Sequence, residues 1–207
     1  MVNYILCAKM SLLKKLLGIK SNKENEKQPY NPHAPEKKLP VDDRFMKNFI
    51  ENGGKFVYCE NLNELSENFL NILEENDWFE CETLCFDNRL QHYLIENKLN
   101  FKDVTNPLFF FTSCENLIAD EGAILFTSNQ IKHFKQDELP KNLVIFATTS
   151  QIVETKSDSL REIKNKHYKE YPTNITALKF FNEKQEEDFL NYGSVSKNLY
   201  LLLLEDL

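Results

Sequence analysis

Three observations predict an α/β fold, built as three αβα layers around a mixed or mostly parallel sheet. First, two short apolar runs, Ala123–Thr127 and residues 143–147, are β-branched and aromatic and too short for helices. Runs that are apolar at every position belong in a sheet covered on both faces. Second, strand-like and helix-like segments alternate between residues 55 and 98 in short units, the mark of βαβ crossovers. Third, the chain closes on Leu199-Tyr200-Leu201-Leu202-Leu203-Leu204, which reads as a final buried strand.

The elements follow in order. Residues 11–19 form a short amphipathic helix: Ser11 caps it, Leu12, Leu13, Leu16 and Leu17 make one stripe, and Gly18 ends it. Such an N-terminal arm folds back on its own domain or a second subunit of a homo-oligomer, or docks on a partner or a membrane surface. Residues 20–40 hold four of the seven prolines and many charges, the composition of a flexible linker. The chain thus divides into an N-terminal extension (1–19), a linker (20–40) and one domain (41–207). Met10 precedes the amphipathic helix and reads as a natural start, with residues 1–9 as an annotation artefact.

Within the domain, Asp42 or Asp43 is expected to cap a helix reaching Asn52, with Phe45, Met46, Phe49 and Ile50 inward. Gly53-Gly54 stops it, since a glycine pair between a helix and a strand runs opposite to phosphate-cradling loops. Residues 55–59 form a strand. Asn61 then opens a helix to Asn76, with Glu64 completing a capping box. Residues 82–86 form the next strand, and Asp87 is expected to cap a helix to Lys98 with Leu90, Tyr93, Leu94 and Ile95 inside. Residues 108–111 are densely apolar and 113–118 lead into an acidic turn. After the run at 143–147, Ser157 or Asp158 begins a helix, 175–181 form a strand, and 183–188 are an acidic surface cluster.

Composition limits the function classes. The 207 residues are 42% hydrophobic and 28% charged, with a formal charge of −7. That sign does not collect phosphate backbone, so no nucleic-acid partner is expected. Five cysteines in a chain of this length favour a reducing cytoplasm over a secreted disulfide scaffold. Cys81 and Cys85 lack two further ligands nearby, so they read as buried strand cysteines and no metal site is expected. No apolar run approaches the ~20 residues of a transmembrane segment.

The segment 117–153 carries a resemblance. Its order is Ala119, the acidic pair Asp120-Glu121, Gly122, an apolar strand, a polar loop, Leu139-Pro140, a second strand and Gln151-Ile152-Val153. This resembles the LUD-domain family, the LutC-like proteins of lactate utilisation, whose turn is usually Ala-Glu-Thr-Gly. The likeness runs from about Val41 to the C-terminus. It implies a fold of the NagB/RpiA/CoA-transferase-like kind, and a role as accessory component of a cytoplasmic lactate-oxidation system beside iron–sulfur partner proteins. The chain departs from the family near its end. Gly193 and Ser194 match the glycine-and-serine stretch there, whereas the Asp-Ile-Glu and His-Gly-Pro elements are absent, and roles attached to them do not carry over.

Candidate chemistry is expected outside the carboxyl ends of strands. At the acidic turn, Glu121 or Asp120 is the candidate catalytic carboxylate, with Gly122 beside it. The two are adjacent, so extended geometry sends them to opposite faces. In the polar loop, Asn129 and Lys132 can hold an anion, and His133 can move a proton near neutral pH. Main-chain N–H groups around Gly193 and Ser194 can form an anion nest. No Walker loop, dinucleotide fingerprint, nucleophile elbow or iron–sulfur cysteine cluster is present, so no cofactor is expected. Three functions stay open: the accessory role, an enzyme of the transferase or hydrolase type acting on a small anion or CoA ester through the acidic turn, and a non-catalytic interaction protein with a decayed site.

Overall fold

The computed structural model describes residues 39–179, 181 and 197–206. The expected helix at 11–19, nearly all of the linker, the acidic cluster at 183–188, Gly193 and Ser194 lie outside the described residues.

Helix α1 (Val41–Glu51) has Pro40 at its N-cap, two residues ahead of Asp42 and three ahead of Asp43. Asp42 and Asp43 fall in its first turn, where carboxylates favour the positive end of the helix dipole. Phe45 and Phe49 are buried as expected, but Ile50 is 53% exposed, because the core lies on a narrower stripe than its periodicity suggested. Strand β1 (Lys55–Cys59) follows Gly53, which has φ 90°. Helix α2 (Leu62–Asn76) is capped by Asn61, whose side chain accepts from the Glu64 N–H while the Glu64 carboxylate takes the Glu60 N–H.

Strand β2 (Thr83–Leu84) is shorter than expected. The Glu82 carboxylate is held by the Thr105 and Asn106 N–H groups, and beyond Leu84 the chain leaves the sheet. Helix α3 (Gln91–Glu96) is also shorter, and Ile95 is 64% exposed rather than inward. Strand β3 (Phe109–Ser113) is fully buried, and β4 (Asn116–Ile118) turns at Asp120-Glu121-Gly122 into β5 (Ala123–Thr127). A helical turn α4 (Ser128–Ile131), strand β6 (Asn142–Thr148) and strand β7 (Ile152–Val153) come next. Helix α5 (Lys156–Lys166) is capped by Thr155 with Asp158, ahead of the expected Ser157 or Asp158. Strands β8 (Ile175–Leu178) and β9 (Asn198–Leu204) complete the described chain.

The central sheet has five parallel strands in the order β1-β9-β6-β3-β2. Along β9, Leu199, Leu201 and Leu203 enter one core while Tyr200 and Leu202 enter the other. Burial on both faces is what its unbroken apolar run requires. On one face lie α2 and α3, with Leu65, Phe69, Tyr93 and Leu94 against Phe109, Phe111 and Val144. On the other lie α1 and a second sheet of order β7-β4-β5-β8. Its outer face, Ile118, Ala123 and Leu125, packs on Ile163 of α5. The result is a three-layer αβα fold with a small sheet set into one flank.

The two apolar runs at 123–127 and 143–147 do not share a sheet. The turn at 120–122 reverses the chain and leaves β5 antiparallel to β4, and β8 pairs antiparallel along its other edge. So short a connection cannot make a parallel crossover.

Candidate functional site

The chain leaving β2 passes into α3 on one face of the central sheet, while the chain leaving the adjacent β3 passes into β4 on the opposite face. Where neighbouring parallel strands send their chains to opposite faces, a crevice opens at their carboxyl ends. A cavity of about 310 Å³ occupies that place. It is lined by Phe86, Asp87, Asn88 and Arg89 after β2, by Thr112 and Ser113 at the end of β3, and by Asn129 and Gln130 of α4.

On the β2 side Arg89 grips Asp87 with two parallel bonds, Nε to Oδ1 at 3.0 Å and Nη2 to Oδ2 at 2.7 Å. Such a fork fixes the guanidinium plane as well as pairing the charges. The Arg89 N–H also donates to Asp87 Oδ1 at 3.0 Å, and Ser113 Oγ donates to Oδ2 at 2.8 Å. The Arg89 bond above all, with Ser113 and the main chain adding to it against partial burial, holds the Asp87 carboxyl down at about 2. The Asp87 side chain is 15% exposed, whereas that of Arg89 is 77% exposed and stands at the mouth.

A second polar cluster supports the far wall. The Gln130 side chain accepts from the Thr127 N–H and hydroxyl, and its amide donates to Glu115 Oε2 at 3.0 Å. Glu115 is only 4% exposed and also receives Lys166 Nζ at 2.7 Å and His167 Nε2 at 3.1 Å, from the C-terminal end of α5. Burial pushes the Glu115 carboxyl up, but the bonds from Lys166, Gln130 and His167 outweigh it and leave it below the usual range. On the apolar side Phe86 stacks on Phe134 and meets Phe110 edge-on.

The expected site residues are dispersed. Asn129 lines the crevice. Lys132 and His133 follow it on the surface, His133 stacked on Phe134. Asp120 and Glu121 lie in the turn and meet different partners. Arg44 Nε stands 2.9 Å from Asp120 Oδ1, near enough to pair charges but out of line for a hydrogen bond, while Lys179 Nζ is 3.8 Å from Glu121 Oε2. Asn48 of α1 and Asn52, which caps its C-terminal end, donate to the carbonyls of Ala119, Glu121 and Gly122. Neither carboxylate lines the crevice. Lys197, just before β9, is buried with its ammonium on the Leu139 and Pro140 carbonyls. It therefore sits at the amino end of the sheet, opposite the crevice.

Among the described residues no group of His, Cys, Asp and Glu is placed to hold a metal ion, and no helix is long and apolar enough to cross a membrane. Cys59, Cys81, Cys85 and Cys114 are free thiols. Sequence reasoning passed over Asp87, Arg89, Ser113 and Gln130. The signal that points to the first two is Asp-Asn-Arg directly after a strand, read instead as a helix cap.

Fold and crevice define an α/β protein whose polar site lies at the carboxyl ends of a parallel sheet. No family model matches the chain, and no curated protein matches its sequence. Among solved structures it is similar to a DUF162 family protein from Deinococcus radiodurans. The two are 10% identical, with a TM-score of 0.58 over 80% of this chain and 96% of that one. DUF162 is the LUD-domain family, so this likeness in fold agrees with the resemblance carried by the turn and strands of residues 117–153.

Proposed function

We propose that the protein is a LUD-type, LutC-like accessory component of a cytoplasmic lactate-utilisation system. It binds a small anionic metabolite in the crevice and leaves electron transfer to iron–sulfur partner proteins. The observation that carries this reading is the state of Asp87, the one carboxylate among the cavity's lining residues. Held at about 2 by Arg89 and Ser113, it stays ionised and fully bonded near neutral pH. General acid–base work calls for a group that exchanges protons near the working pH. No Lys, His or Cys lines the cavity either. A crevice so furnished suits binding better than turnover, and the fold likeness to a DUF162 protein supports the family side of the reading.

The test is thermal melting against lactate, pyruvate, CoA, acetyl-CoA, sugar phosphates and NAD, joined to a pull-down at native expression. A ligand at 100 times its dissociation constant adds about 2.7 kcal/mol, worth a few degrees at this size. A shift with lactate or pyruvate and recovery of iron–sulfur proteins are expected. A shift confined to CoA esters would move the protein to the enzyme class. A flat panel with a clean pull-down would sink the proposal.

A further inference from the structure

The crevice's unused hydrogen-bonding groups specify what it takes. Asp87 has no capacity left, since its two oxygens already accept four bonds, three from Arg89 and one from Ser113. The Gln130 carbonyl oxygen is taken up by Thr127 and one of its N–H groups by Glu115, while the Asn88 carbonyl oxygen accepts from Gln91 and the Asn88 amide donates to no described residue. Arg89 commits Nε and Nη2, the latter also reaching Ser113 Oγ at 3.4 Å, and its Nη1 bonds to no described residue. The Asn129 side chain likewise has no bond to a described residue, although its main-chain N–H is held by Thr127. The unused groups of the lining residues are therefore mostly N–H donors, two each on Arg89 Nη1 and the Asn88 and Asn129 amides and one on the Gln130 amide, against the Asn129 carbonyl and the hydroxyl oxygens of Thr112 and Ser113. A ligand that answers this set is rich in acceptors and poor in donors. A carboxylate, which only accepts when ionised, is the simplest group of that kind. Charge narrows the choice, because Asp87 cancels the charge of Arg89 within one hydrogen bond. A dianionic phosphate doubles both the attraction to Arg89 and the repulsion from Asp87, but its desolvation cost rises with the square of its charge, so a nearly neutral fork takes a monocarboxylate at less cost.

We propose that Arg89 Nη1 and the Asn129 amide form a monocarboxylate subsite, in which Asp87 is an internal counter-ion that orients the guanidinium and limits its affinity. This rests on the binding role proposed above and deepens it. The experiment is calorimetric titration of the full chain with acetate, lactate and inorganic phosphate at constant ionic strength. Wild type is expected to bind the carboxylates more tightly than phosphate. Arg89→Gln, at an exposed position, is expected to weaken them at least tenfold and Asn129→Ala about threefold. Asp87→Asn keeps an acceptor for Arg89 but removes the competing charge, and should tighten carboxylate binding at least threefold; Asp87→Ser replaces it if the Asn variant does not fold. Carboxylate binding unchanged in Arg89→Gln overturns the subsite while leaving the binding role standing. Tighter binding of phosphate than acetate, or weaker carboxylate binding in both Asp87 variants, also overturns it. Absence of any carboxylate binding by wild type sinks the binding role itself.

Discussion

The two acidic corners of the molecule, the turn between β4 and β5 and the crevice beyond β2 and β3, handle the same side chains in opposite ways. At the turn, two residues of α1 and the one that caps its C-terminal end, spaced four apart, reach across. Arg44 pairs with Asp120 and with Glu154, while Asn48 and Asn52 take the carbonyls of the turn itself. The turn is thereby fastened to a helix, and little of its backbone remains to meet a ligand. In the crevice, Asp87 is just as heavily bonded, but its partner Arg89 keeps half of its guanidinium turned outward. A corner whose main-chain carbonyls are taken up by a neighbouring helix holds the fold. A corner with a surplus of one kind is furnished to recognise something else.

The sharpest way to break this comparison is at Gly122. It has φ +59°, and an added Cβ would lie 2.4 Å from the Asn48 main-chain carbon. Both the left-handed conformation and the contact with α1 backbone forbid a side chain there. Gly122→Ala should lose about 3 kcal/mol or more, read by urea unfolding. If it unfolds like wild type, the turn is not clamped and its contrast with the crevice fails.

A pH series separates the crevice wall from the turn. Glu115 has a folded-state pKa below its ordinary value, so the stability it contributes is complete above the unfolded pKa, about 4.3. That contribution disappears as pH falls through the folded value. Wild type should therefore lose melting temperature on acidification below about pH 5. Glu115→Gln should start lower at pH 7, by about 1–3 kcal/mol, because a buried charged acceptor of three bonds is replaced. It should then lose less than wild type on acidification. Asp87 and Asp206, both held at about 2, lose their contributions in the same direction as pH falls towards that value, and remain in the variant as background. For Asp206 the cause is first the Ser150 hydroxyl, then the Ser150 and Thr149 groups around it. An identical acid profile in Glu115→Gln would show that the Lys166–His167 cluster does not govern the wall.

Most of the architecture was legible because hydrophobic pattern and caps are local. Asn61 with Glu64, the burial of Phe45 and Phe49, and the doubly buried β9 all follow from spacing alone. What stayed hidden was set by pairing across the chain. Nothing in the residues 123–127 says that β8, some fifty residues on, takes one edge and β4 the other, so the run looked like a central strand. The crevice was hidden for the same reason. Asp87 and Ser113 are 26 positions apart and meet only because β2 lies beside β3 at the sheet edge. Locally, Asp87 has the features of a helix cap, and its bond to the Arg89 N–H fits that expectation while α3 begins only at Gln91. Asn129 was reached from the loop it occupies, but its companions in the cavity were not.

The smallest expected effect sharpens the comparison most, because it concerns the residues singled out first as candidate catalysts. Asp120→Asn weakens one exposed pairing to Arg44, which keeps Glu154, and Glu121→Gln weakens a 3.8 Å pairing to Lys179. Exposed ion pairs contribute about 0–1 kcal/mol, so each variant should melt within a degree or two of wild type. If the turn only fastens α1, both variants should also bind carboxylates as wild type does, in contrast to Arg89→Gln. Loss of ligand response in Asp120→Asn or Glu121→Gln, with the melting temperature intact, would reverse the assignment of the two corners. The function would then lie at the acidic turn, with the Asp87–Arg89 fork as the brace.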